Sequence, residues 1–175
     1  VTLEYAYGGQ FYGSTEITAA MDTWYSNGTE VVFACGGGIF TSAAEAAAKT
    51  GGKIIGVDSD QSPIIDAYGK GMTITSAMKS LTATVNSTLD SIIFDGTWNK
   101  HVGKVENLGL ISKDDMSLNY VGLPEDTTQW NKNFGIKDYK KLVADIFDGK
   151  IKVSNDTDQL PKVSIKLNVR QGTIK

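Results

Sequence analysis

Along the chain, short unbroken apolar runs alternate with apolar residues spaced three and four apart, which predicts strands and helices taking turns. Val31, Val32, Phe33 and Ala34 form one such run, stopping at Gly36-Gly37-Gly38. The run predicts a strand buried on both faces, and the glycines a tight turn. A helix should follow, because Ser42 and Glu45 have the S-x-x-E spacing of a capping box. Ala43, Ala44, Ala46, Ala47 and Ala48 are strong helix formers, small enough to pack closely on a sheet. Gly51-Gly52 ends that helix, and a second buried strand, Lys53 to Val57, runs into Asp58 with Asp60 close behind. Strand, glycine turn, helix and strand predict two parallel strands joined by a right-handed crossover. Glycines and acid then emerge at one edge, where ligands of open α/β sheets bind.

The same alternation extends in both directions. Thr2 to Tyr7 reads as a first strand leaving through Gly8-Gly9, with Gln10, Phe11 and Tyr12 in the exit loop. Ser14 or Thr15 can cap a helix whose apolar positions are Ile17, Ala20, Met21 and Trp24, stopped by Asn27-Gly28. Beyond Ser62-Pro63 a short helical stretch covers Ile64 to Tyr68, and Met72 to Thr75 is a further strand. A long helix is predicted from Ser76, with Met78, Leu81, Val85, Leu89 and Ile92 facing the sheet. Val105 to Ser112 and Ser117 to Leu123 read as an antiparallel pair about a Lys113-Asp114-Asp115 turn. Lys137 to Asp148 carries Tyr139, Leu142, Val143, Ile146 and Phe147 at helical spacing, ended by Gly149. Ile151 to Val153 is a short extended piece, and in the polar tail after it the alternating VSIKLNV stretch can pair as an edge strand.

Composition narrows the classes. The chain has 175 residues, enough for one domain with a real core. A net charge of −3, with no basic cluster interleaved with aromatics, gives no electrostatic case for nucleic acid. No apolar run reaches the length of a membrane span. The chain opens on Val1 with no signal peptide or anchor, so it reads as a processed product or fragment. Cys35, ending a buried strand, reads as a small core residue rather than a reactive thiol. One histidine, His101 in a polar loop, and one cysteine argue against a metal site.

Candidate chemistry gathers at the predicted ligand edge. Three glycines let a ligand approach the backbone, and the Asp58 carboxylate can accept two hydroxyl hydrogen bonds at once. The plainer reading is a tight turn beside solvated acids. Phe11 is either a lid on the local core or a stacking platform. Lys79 falls in the first turn of its predicted helix, where a cation does not suit the dipole. Either something other than helix stability holds it there, or it is a snorkelling surface lysine. No G-x-S-x-G turn, Walker A motif or H-E-x-x-H segment is present, and Asp58 and Asp60, one residue apart where the strand ends, are read as projecting to different sides rather than as a carboxylate pair. No catalytic residue or cofactor is therefore assigned. The alternative is a Rossmann-like dinucleotide-binding domain of an oxidoreductase, because glycines after one strand and an acid ending the next partly match that fingerprint. Thr41 stands where its third glycine would be.

The runs VVFACGGG, KIIGVDSDQ and ITSAMKSL, in this order and spacing, resemble the C-terminal half of the BMP family of basic membrane lipoproteins. The Y-x-x-x-F segment ending in Phe11 and the DGKIKV segment also fit. That family comprises substrate-binding proteins of nucleoside ABC importers, the purine nucleoside receptor type among them. The resemblance implies an α/β fold, a parallel-sheet three-layer lobe of a type I periplasmic-binding-protein fold with a small antiparallel appendage. It implies a C-terminal ligand-binding lobe over residues 1–153, a tail over 154–175, and an N-terminal lobe that is not in this chain. It matches Phe11 to the aromatic stacked on the base and Gly37 to the glycine against the ligand. Asp58 matches the acid that takes the ribose hydroxyls, and Lys79 the lysine near the same end. The triple glycine departs from the more usual glycine-threonine-glycine. Partners so implied are a nucleoside, the N-terminal lobe and an ABC permease, on the extracytoplasmic face of a bacterial membrane, with the full-length protein lipid-anchored.

Overall fold

The computed structural model describes residues 1–160 and 162–174, so Pro161 and Lys175 of the tail lie outside the described residues. The chain opens with β1 (Thr2–Tyr5) and passes through a loop into α1 (Thr15–Ser26). Ser14 caps that helix, its hydroxyl oxygen accepting the Ile17 N–H at 3.3 Å. Then come β2 (Val31–Phe33), α2 (Phe40–Thr50), β3 (Lys53–Asp58), the short α3 (Ser62–Ile65) and β4 (Thr73–Lys79). β2, β3 and β4 pair in parallel, as the crossover rule requires. α4 (Leu81–Ile93) follows, then β5 (Val121–Gly122), antiparallel on β4, and α5 (Ile136–Phe147). The sheet order is β2-β3-β4-β5, an α/β architecture with a mostly parallel sheet and a small antiparallel part. β6 (Asn168–Gln171) pairs parallel with β1 in a separate two-stranded sheet, so only Asn168 and Val169 of the VSIKLNV stretch are in a strand.

The core lies between one sheet face and α1, α2 and α3. Ile17, Met21 and Tyr25 of α1 meet Ala43, Ala44, Ala46 and Ala47 of α2, each of these alanines no more than 2% exposed, over Val32, Ala34 and Ile54. Small side chains allow that close approach. Tyr25 spans the layer and donates its hydroxyl to Lys53 O at 2.9 Å, and burial pushes its phenol well above the ordinary tyrosine range. Ser42 is not a helix cap. α2 starts two residues earlier, and buried Ser42 accepts the Ser14 N–H at 3.0 Å and donates to Ser14 O at 3.1 Å, pinning α2 to the start of α1. Glu45 also turns to α1, accepting the Thr18 hydroxyl.

Four other expectations are corrected. β2 is buried on one face only: Val32 and Ala34 are 6% exposed, but Val31 and Phe33 are 38% and 50%. As an edge strand it receives helices on one side. Cys35, past its end, is exposed rather than a core residue. β4 runs on through Ser76, Ala77 and Met78 to Lys79, because β3 flanks it as far as the Asp58–Met78 pair and β5 holds its other edge. Helix α4 therefore begins only after Ser80, which caps it, and none of its residues is buried. The predicted hairpin over 105–123 does not form. Asn119, 4% exposed, instead accepts the N–H groups of Ile111 and Ser112 and donates to Ser112 O, turning the segment as a loop.

The exposed face of α4 has a measurable consequence. Val85 is 55% exposed, so Val85→Ser in the 175-residue chain should move unfolding free energy by no more than about 0.5 kcal/mol in urea titration. A helix seated on the sheet would lose several times that.

Candidate functional site

The carboxyl ends of β2, β3 and β4 converge with the loop after β1. Phe11 lies across the triple glycine. Gly38 N–H donates to Phe11 O at 2.8 Å, and Tyr12 bridges to Gly38 in parallel. A Cβ on Gly37 would sit 3.4 Å from Phe11 O and 3.6 Å from Phe11 Cβ, and Gly37 has φ +51, so glycine suits both the approach and the backbone. Phe11 as a residue is 77% exposed. It covers no core, which removes the lid reading.

The amides of this turn are mostly spent. Gly36 N–H goes to Ala34 O, Gly38 N–H to Phe11 O, Ile39 N–H to Gly36 O and Thr41 N–H to Gly38 O. A phosphate cradle needs such donors free and aimed outward. The turn therefore offers a surface of backbone rather than an anion nest.

Asp58 ends β3 with φ +68, the one non-glycine residue with positive φ among the described residues. Ser59 N–H donates to Val57 O at 2.8 Å, closing a three-residue turn about it. Aspartate tolerates this region better than most residues, yet such a conformation stores strain and tends to occur where a side chain must be aimed. Lys79, ending the neighbouring strand, places Nζ 2.7 Å from Asp58 Oδ1, with side chains 62% and 41% exposed. A pair so open to water adds at most about 1 kcal/mol to stability. The cation is thus held by strand pairing, not by a helix terminus.

Gln61 is the functional-edge residue that sequence reasoning missed. Only 7% exposed, it accepts Val57 N–H at 3.0 Å through Oε1 and donates from Nε2 to Gly37 O at 3.1 Å. Its own N–H donates to Ser76 Oγ on β4 at 3.1 Å. After Asp-Ser-Asp it reads as a loop polar residue, and no spacing rule marks it. Through it the four sequence candidates connect: Phe11 to Gly37, Gly37 to Gln61, Gln61 to the end of β3, and Asp58 to Lys79.

Asp60 points elsewhere, because β3 ends at Asp58 and the turn there breaks the strand's two-residue alternation, and it accepts Ser62 N–H and the Thr127 hydroxyl. Partial burial pushes its carboxyl up, but the hydrogen bonds from Ser62 and Thr127 outweigh this and hold it below the usual carboxylate range. His101 pairs with Glu106 at 2.8 Å, far along the chain from this edge. Among the described residues no group of three or more His, Cys, Asp or Glu could hold a metal ion, and no helix is long and apolar enough to cross a membrane.

The arrangement offers groups for binding: a bare aromatic face, a strip of backbone, a carboxylate and an ammonium. No curated protein matches the sequence. The family model described as ABC transporter substrate-binding protein PnrA-like, Bmp, matches residues 1–157. With nearly the whole chain matched and a mostly parallel α/β lobe beneath the site, the chain belongs to the Bmp family of ABC transporter substrate-binding proteins.

Proposed function

We propose that the chain binds a nucleoside, of the purine type, on the edge formed by Phe11, Gly37, Asp58 and Lys79, as one lobe of the receptor of an ABC importer. The observation that carries this is the pairing of an exposed aromatic over a glycine turn with a strained, outward-facing carboxylate on the adjoining strand. Phe11 stacks on the base and Gly37 lies beside it. Asp58 accepts the two ribose hydroxyls, and Lys79 steadies that end. The dinucleotide alternative loses ground because the glycine-turn amides it needs for a pyrophosphate are mostly engaged. Receptor work fits a site with binding groups and no paired catalytic ones.

Magnitudes explain why one lobe is half a receptor. Stacking a base contributes about 1 to 3 kcal/mol, and each hydrogen bond to the carboxylate about 1.5 to 3. Association costs at least about 4 kcal/mol before any net affinity appears. Since Phe11 and Lys79 are mostly exposed, a ligand here is contacted from one side. In this proposal residues 1–153 are the C-terminal lobe, residues 154–175 a tail, and an N-terminal lobe supplies the opposite wall. The whole is lipid-anchored outside the bacterial cytoplasm beside its permease.

The test is a titration of the 175-residue chain with inosine, guanosine and adenosine, followed by amide resonances into the millimolar range. Shifts confined to residues around Phe11, Gly37, Asp58 and Lys79 support the reading. No shift with any nucleoside sinks it. Phe11→Ala should weaken binding by about tenfold to a hundredfold, as expected for a lost stacking partner. Its thermal midpoint should stay put, since the ring is exposed.

A further inference from the structure

Gln61 does more than fill a gap. β2 stops at Phe33, and the chain past it folds onto itself: Cys35 N–H donates to Phe33 O and Gly36 N–H to Ala34 O at 2.9 Å. With Ala34 N–H bonded to Ile55 O, continuing the parallel ladder would send Val57 N–H to Ala34 O. That carbonyl is taken by Gly36. Gln61 Oε1 supplies the acceptor instead, standing in for the strand that has ended. At the other end of the same amide, Nε2 holds Gly37 O. Gly37 C=O and Gly38 N–H belong to one peptide unit, and the N–H half is held by Phe11 O. One peptide plane is thus clamped between Gln61 and the Phe11 backbone. Ser76, 0% exposed on β4, braces the clamp from behind through Gln61 N–H.

We infer that Gln61 is a positioning residue: its amide ties the glycine turn beneath Phe11 to the end of β3 and so fixes the spacing between the base platform and the Asp58 carboxylate. The inference rests on the nucleoside reading for its ligand, but not for the clamp itself. Both ends of the amide are required. A neutral glutamic acid of the same shape has one O–H and one carbonyl oxygen, which reproduce the amide's donor and acceptor. A glutamate has acceptors only, and one of them would face Gly37 O with a negative charge. Burial raises a carboxyl's pKa, so Q61E should pass between these forms within an accessible pH range. Asp58, Asp60, Lys79 and Cys35 are the charged or titratable groups on the adjoining strand ends. They are shared with the wild type, whose own pH profile subtracts their contribution.

The experiment compares wild type and Q61E at about pH 5 and about pH 8, reading inosine affinity and the amide resonances of Gly38 and Val57. Expected is a loss of about tenfold in Q61E affinity at the higher pH, as for a buried hydrogen bond turned repulsive, with recovery at the lower pH and little change in the wild type. The Gly38 resonance should move and return in step. Folded Q61E that binds as tightly as wild type at the higher pH overturns the inference. So does an affinity loss that protonation does not restore, which marks a merely structural role. If inosine perturbs nothing in the wild type, the nucleoside reading fails, and the Gly38 resonance alone decides whether the clamp exists. Should Q61E not fold, Ser76→Ala, which removes the brace and leaves the amide, should shift Gly38 and Val57 in the same direction by less; unmoved resonances overturn the inference.

Discussion

Replacing Asp58 with glycine is expected to abolish nucleoside binding while changing the chain's stability by no more than about 1 kcal/mol. The two halves have separate causes. Asp58 sits at φ +68, where a non-glycine residue costs on the order of 1 kcal/mol or more and glycine sits freely. Against that gain stand the entropy of glycine in the unfolded chain and the loss of the Lys79 pair, each worth about 1 kcal/mol or less. These nearly cancel, and the thermal midpoint should stay within about 4 °C of the starting value. Binding does not cancel. Two hydroxyl hydrogen bonds to a charged carboxylate at about 1.5 kcal/mol or more apiece make the loss at least about a hundredfold. Asp58→Asn is the companion variant: it keeps a side chain tolerant of this conformation but loses the charge and turns one acceptor oxygen into an N–H donor, so its affinity should fall by about tenfold or more. Calorimetric titration and thermal denaturation of the same samples give both readouts. Unchanged affinity in the glycine variant would remove Asp58 from the site, and a midpoint lower by several degrees would show that its backbone is not strained.

That conformation at Asp58, one that stability alone would not choose, also marks where the sequence stops being readable. The unit from Val31 to Asp58 was legible because apolar runs, three glycines and an alanine-rich helix all point the same way, and the parallel crossover follows from chain handedness. Helices α1 and α5 were legible for the same reason, with Ser14 capping one and Gly149 following the other. What failed was local likeness without its tertiary partner. Ser42 and Glu45 have capping-box spacing, but both reach to α1. Ser76-Ala77-Met78-Lys79 has little β-branched character, yet neighbours on both edges hold it extended.

The helix α4 shows the opposite case. Its apolar stripe of Leu81, Val85, Leu89 and Ile92 was legible as a helix, but periodicity says only that a face is apolar, not what lies against it. At the site, residue types pointed to Phe11, Gly37, Asp58 and Lys79 as separate candidates. Their connection through Gln61 was not legible, because a side chain that replaces a missing strand partner leaves no periodic trace.

The second large effect is expected in the layer beneath that edge. Ile54 is 0% exposed, paired with Val32 on β2 and Thr73 on β4, and belongs to the cluster joining α1, α2 and α3 to the sheet. Ile54→Ala should cost about 2 to 5 kcal/mol, since strands on both sides keep the site from collapsing into the cavity. Ile54→Val, removing one methylene, should cost about 0.5 to 1.5 kcal/mol. For a chain of this size the alanine variant should melt lower by roughly 5 to 15 °C in calorimetry. Because Ile54 faces the helices and the ligand edge lies at the strand ends, nucleoside affinity measured well below the melting point should change by less than about threefold. An Ile54→Ala chain that kept its midpoint would show that the sheet is not clamped on both sides of this residue. One that kept its midpoint but lost affinity would mean that the strand ends move with the core, and that the rigidity assigned to Gln61 is shared by the whole of β3.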